Sequence, residues 1–168
     1  MSVYRELLAI KAFRESQAEA AVRSQRDALR AAREAREEAE ALLQRLLREG
    51  LEQEMQLYRD LCARIVQLRE IEEVQLAVAG LRQREAQQQD AVAAAAKAQE
   101  QAQEKLETAR AAHQEASRQK SKFVDLARSH DELLARESER KEDLEMEEAA
   151  SVARDREDWE SHDAEAMA

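Results

Sequence analysis

Between residues 21 and 47 the chain runs Ala21-Val22-Arg23-Ser24-Gln25-Arg26-Asp27-Ala28-Leu29-Arg30-Ala31-Ala32-Arg33-Glu34-Ala35-Arg36-Glu37-Glu38-Ala39-Glu40-Ala41-Leu42-Leu43-Gln44-Arg45-Leu46-Leu47. Within it Ala21, Gln25, Ala28, Ala32, Ala35, Ala39, Leu42 and Leu46 follow alternating steps of four and three, the spacing that keeps one stripe turned toward a partner helix. Arg33, Glu34, Arg36, Glu37 and Glu38 fill the flanks, as the solvated sides of a two-helix coil require. The stretch predicts a helix with a narrow apolar seam, and therefore a second helix to cover it.

That second helix is found downstream. The same rule runs through Ile71, Val74, Val78, Leu81, Val92, Ala95, Ala102, Leu106, Ala109, Ala116, Phe123, Ala127, Leu134 and Leu144, with polar residues at the remaining steps. Three places compete for the reversal between the helices: Gly50, Gly80, and the β-branched pair Ile65 and Val66. An antiparallel pair matches residues whose numbers sum to a constant. A turn near 65–66 sets Ala28 to Ala41 opposite roughly 90–103, where Ala91, Ala93, Ala94, Ala95, Ala96 and Ala98 allow close backbone approach. Turns at the glycines lose these matches, so the turn is placed near 63–68 and the glycines are read as tolerated helix defects costing about 1 kcal/mol each, or as sites of local flexibility. One mismatch survives in this register: Leu42, Leu43, Leu46 and Leu47 face the polar run Glu85 to Gln89.

Composition agrees with uninterrupted helix. The 168 residues include no proline and two glycines, while alanine, glutamate, lysine, leucine and arginine fill 107 positions. Leucine, isoleucine, valine and phenylalanine make only 31 residues, which with a net charge of -10 also fits a disordered chain. The 34 alanines and the regular repeat decide for a coiled coil. Two phenylalanines, two tyrosines and one tryptophan cannot fill the interior that a globular enzyme of this length needs.

Charge divides the chain. Residues 1–130 hold 22 acidic and 22 basic side chains, and 131–168 hold 15 acidic against 5 basic. The register leaves everything beyond about residue 130 without a partner helix, so two domains are expected: an antiparallel coiled-coil hairpin over 1–130, and an acidic extension over 131–168, helical or frayed. At a rise of about 1.5 Å per residue, the paired arms should be roughly 90 Å long. The expected fold is all-α, a long two-helix antiparallel coiled-coil hairpin with that extension.

Chemical motifs are sparse. His113 and His130 lie on the inward stripe, seventeen residues and thus about 25 Å apart along a helix, too far to share a metal. His162, with Asp158 and Asp163, lacks a cysteine or second histidine nearby. Cys62 is alone and reads as a small packing residue. No Gly-rich phosphate loop, GxSxG or HExxH is present, and carboxylate pairs such as Glu147 and Glu148 are ordinary on solvated helices. We expect no catalysis, no cofactor and no metal. The acidic end disfavours nucleic acid, no window approaches a membrane span, and a mostly alanine stripe does not suit a membrane-surface helix.

Two places hold apolar residues where a hairpin would end: Tyr4, Leu7, Leu8, Ile10, Phe13, Phe123, Val124 and Leu126, and Leu57, Tyr58, Leu61, Ile65, Ile71 and Leu76. They can clamp ends that would otherwise fray, or offer anchors to a partner.

Leu8-Ala9-Ile10-Lys11-Ala12-Phe13-Arg14 followed by Ala18-Glu19 resembles the N-terminal segment of the YscO family of type III secretion proteins. Lys122-Phe123-Val124-Asp125-Leu126-Ala127-Arg128 and Lys141-Glu142-Asp143-Leu144-Glu145-Met146-Glu147-Glu148 resemble its C-terminal half, and Leu81-Arg82-Gln83-Arg84-Glu85-Ala86 its central patch. The resemblance implies the central stalk of the export ATPase, related to the flagellar FliJ stalk. Such a stalk binds the hexameric ATPase, couples it to the export gate and also binds translocator chaperones. The place implied is cytoplasmic, peripheral to the inner membrane through the secretion apparatus, without stable membrane insertion. On this resemblance Lys11, Phe13, Arg14, Arg118, Lys120, Lys122, Phe123 and Arg128 would meet the ATPase pore, and Leu61, Ile65, Ile71, Leu76 and Leu81 the export gate. The competing class is a passive coiled-coil scaffold or tether in another cytoplasmic assembly, which composition fits as well.

Overall fold

The computed structural model describes residues 3–168. Two helices account for nearly all of them, α1 over Val3–Cys62 and α2 over Leu68–Ala166. The connection, 63–67, contains Ile65 and Val66, and both glycines lie inside helices. It closes without a positive φ anywhere among the described residues. Chemistry at its far side explains why α2 starts at Leu68. The Gln67 backbone N–H donates to Glu70 Oε2 at 2.9 Å, satisfying a donor at the helix entry as a capping-box carboxylate does. The same carboxylate reaches back to Arg64, whose guanidinium lies 3.2 Å from Glu70 Oε1.

The chain divides into two compact units, 16–115 and a second made of 1–15 with 116–168. In the first, Arg36 donates to Gln99 Oε1 at 3.3 Å and Arg82 to Glu54 Oε2 at 2.6 Å. A higher number on α1 meets a lower number on α2, so the helices run antiparallel. Val22, Leu29 and Leu106 form its buried core, with Ala102 and Ala109 packed against them. Leu106, only 2 % exposed, is the most enclosed of these. In the second unit, Glu15 accepts from Ser117 Oγ at 3.0 Å and pairs with Lys120 Nζ at 2.9 Å. Arg5 lies 3.6 Å from Asp131, and the rings of Tyr4 and His130 are 4.9 Å apart and tilted.

On α2 the inward positions follow the expected stripe: Ile71, Val74, Val78, Leu81, Val92, Ala95, Ala102, Leu106, Ala109, Ala116, Phe123 and Ala127 are all buried or half-buried. Leu134 and Leu144 are not; from residue 131 onward every residue is exposed. On α1 five of the eight expected positions, Gln25, Ala32, Ala39, Leu42 and Leu46, turn inward, but Ala21, Ala28 and Ala35 are exposed, and Val22 and Leu29 take the buried places. Burying leucine and valine in place of their alanine neighbours removes more apolar surface from water, about 25 cal/mol for each Å².

The register also differs from the sequence expectation. Pairs such as Leu29 with Leu106, Arg36 with Gln99 and Glu54 with Arg82 place each α2 partner four to five residues later than a sum of 131 requires, about one helical turn. This shift brings Leu43 level with Val92, both half-buried. It also gives the polar run on α2 specific work. Gln88 Nε2 donates 2.9 Å to the Ala39 carbonyl. Glu85 is buried at 8 % exposure, and its carboxylate lies over Gly50, where an added Cβ would stand 2.7 Å from Oε1. Leu46, Gly50 and Glu54 turn inward at two successive steps of four, a local departure from the heptad that accommodates the carboxylate. Gly50 is therefore not a tolerated defect. Gly80, with nothing within 4 Å of its would-be Cβ, has no such neighbour.

Candidate functional site

The basic and aromatic residues singled out near the chain's N-terminal segment separate into two sets within the unit 1–15 with 116–168. Lys11, Lys120 and Phe123 are half-buried and occupied by the fold itself. The Lys11 ammonium sits 5.1 Å from the centroid of the Phe123 ring, within reach of a cation–π attraction, and Lys120 is held by Glu15. Phe13, Arg14, Arg118, Lys122 and Arg128 all face solvent. Phe13 is 63 % exposed, on the face of α1 opposite the inward positions Leu8, Lys11 and Glu15. Arg118 and Lys122, four residues apart, share one face of α2. The five present an aromatic ring and four cations to whatever approaches.

A similar division applies around the connection. Leu61, Ile71 and Leu81 are half-buried on the inward stripe, where their side chains hold the helices together. Ile65 and Leu76 point away, at 101 % and 73 % exposure. Leu68 is equally uncovered, and Leu51, Met55 and Tyr58 make an exposed run along α1 at i, i+4 and i+7. Sequence reading missed Leu51, Met55 and Leu68. The signal for Leu51 and Met55 was their spacing, out of step with the seam on α1, and for Leu68 its place three residues before Ile71, at the very start of α2. Cys62, expected as a packing residue, is exposed, because it is the last residue of α1.

The concavities among the described residues include open, shallow grooves along the helix pair, such as one lined by Ala21, Gln25, Gln101, Lys105, Thr108 and Ala112. Among the described residues no group of three or more His, Cys, Asp or Glu side chains could hold a metal ion. No described helix is long and apolar enough to cross a membrane.

The sequence profile described as type III secretion protein YscO matches residues 4–152. The chain belongs to the YscO family of type III secretion proteins. A solved YscO structure agrees: the 2.8 Å crystal structure of type III secretion protein YscO from Vibrio parahaemolyticus is similar with a TM-score of 0.82 and 28 % identity, covering 86 % of this chain and 91 % of that one. No curated protein matches. The YscO assignment gives the chain a role in type III secretion and partners within the secretion apparatus.

Proposed function

We propose that this chain is the central stalk of the type III secretion export ATPase, cytoplasmic and peripheral to the inner membrane through the apparatus. It binds the hexameric ATPase, couples it to the export gate and also receives translocator chaperones. The observation that supports the reading best is the outward set Phe13, Arg14, Arg118, Lys122 and Arg128, which the fold leaves without an ion pair or ring contact among the described residues. A ring pore lined by carboxylates and apolar side chains would engage such a set, because an exposed aromatic flanked by cations supplies both an anchor and electrostatic steering. Ile65 and Leu76 are the corresponding anchors for the export gate, since neither side chain is used in packing the helices.

The experiment is a pull-down of the secretion ATPase with the wild-type chain and with Phe13→Asp plus Arg14→Glu, each checked for helicity. Retained binding by the doubly substituted, still helical chain would remove the pore assignment. A passive tether differs in its effect on the enzyme: it binds without changing the rate of ATP hydrolysis.

A further inference from the structure

The rim of a two-helix coil ordinarily sets opposite charges across the seam. Within the unit 16–115 one stretch of rim does not. Arg26, Arg30 and Arg33 on α1 and Arg110 on α2 line a single groove whose floor is Leu29 and Leu106. Among the described residues the one ion pair that involves them is Arg30 with Asp27, 4.0 Å apart, with both side chains about three-quarters exposed. Four guanidiniums thus rim leucines that are themselves 5 % and 2 % exposed, an arrangement that selects an acidic partner by charge.

The same chain carries such a partner. Residues 131–168 hold 15 acidic and 5 basic side chains, are helical through Ala166 and are exposed throughout. Apolar groups lie among the acids: Leu144, Val152 and Trp159 are all more than half exposed. Glu145 and Glu148, beside Ala149, Val152 and Ala153, form one shallow face that carries the cation Arg156 at its far end, and the two glutamates repeat the three-residue spacing of Arg30 and Arg33. We propose that the arginine groove of one copy receives the acidic C-terminal helix of a second copy, through carboxylate–guanidinium pairs. The contact is heterologous, using two different surfaces. It adds to the ATPase reading without depending on it.

Light-scattering mass measured across a wide range of protein concentration, at about 50 mM and about 500 mM salt, tests it. The expected result is a mass that rises with concentration at low salt and returns to the monomer at high salt. Arg30→Glu with Arg33→Glu, or Glu145→Arg with Glu148→Arg, should each weaken association about tenfold or more, and combining all four substitutions in one chain should restore it. Helicity by circular dichroism confirms that each variant folds. A monomer at every concentration in low salt overturns the proposal, as does association that survives either reversal or that the combined exchange fails to restore.

Discussion

The carboxylate of Glu85 occupies the space that a side chain at residue 50 would fill: a Cβ on Gly50 would stand 2.7 Å from Glu85 Oε1. That oxygen is buried without a hydrogen-bond partner, while Oε2 accepts from Arg82 at 3.3 Å. A helix-interior glycine costs roughly 1 kcal/mol relative to alanine, so Gly80→Ala, with open space around it, should stabilise the protein by about that amount. Gly50→Ala should gain clearly less, because the carboxylate must move. In a Glu85→Ala background the two gains should become equal. Urea unfolding of the four variants measures the coupling.

Arg82 joins Glu54 on α1 to Glu85 on its own helix. Its hydrogen bond to Glu85, and then the charge of Glu54, raise the Arg82 pKa above the usual arginine value. A raised pKa means that the guanidinium's contribution is complete below the unfolded value and is lost only as pH rises through the folded one. Arg82→Met should therefore lower the melting temperature by the same amount at pH 6 and pH 9, both far below the range in which any arginine titrates. A difference that grows between those pH values would contradict the assignment.

Packing is concentrated at a few residues. Leu106 is 2 % exposed and Leu29 5 %, so Leu106→Ala or Leu29→Ala should cost about 2–4 kcal/mol. Leu133→Ala and Leu76→Ala, at positions more than half exposed, should fall within about 0.5 kcal/mol of wild type. Thermal melts followed at 222 nm distinguish the two classes.

From residue 131 onward α2 carries no buried side chain, and helices without a packed face are held mainly by local terms. Amide hydrogen exchange of the monomer, at about 500 mM salt, should show protection from 131 to 166 at least roughly a hundredfold below that around Leu106. Equal protection in both stretches would mean that the exposed helix is covered in solution.

Much of this was legible in the sequence, and the exceptions have physical causes. The stripe on α2 stood out because Ile71, Val74, Val78 and Leu81 contrast with charged neighbours. On α1 alanine occupies both inward and outward places, so Ala28 and Leu29 each extend a plausible repeat, and only the volume of the leucine decides between them. The register depended on an event that periodicity does not encode, a carboxylate seated over Gly50. At the candidate surfaces, sequence identified residues that bind helix to helix, such as Lys11, Lys120 and Leu61, together with residues that point outward, such as Phe13 and Ile65. Residue type alone could not separate them, since a lysine over a ring and a lysine in solvent share one letter.

The separation yields a prediction in cells. Ile65→Asp with Leu76→Asp should reduce secretion while leaving helicity and melting temperature near wild type, whereas Ile71→Asp should lower the melting temperature first, because Ile71 is half-buried on the seam. Secretion unaffected by the outward pair would remove the gate assignment.

ATP hydrolysis by the purified secretion ATPase, measured with and without this chain, tests the stalk directly. The stalk predicts faster turnover with the wild-type chain, and loss of most of that stimulation with Phe13→Asp plus Arg14→Glu in a protein that stays helical. An unchanged hydrolysis rate at saturating wild-type chain would contradict it.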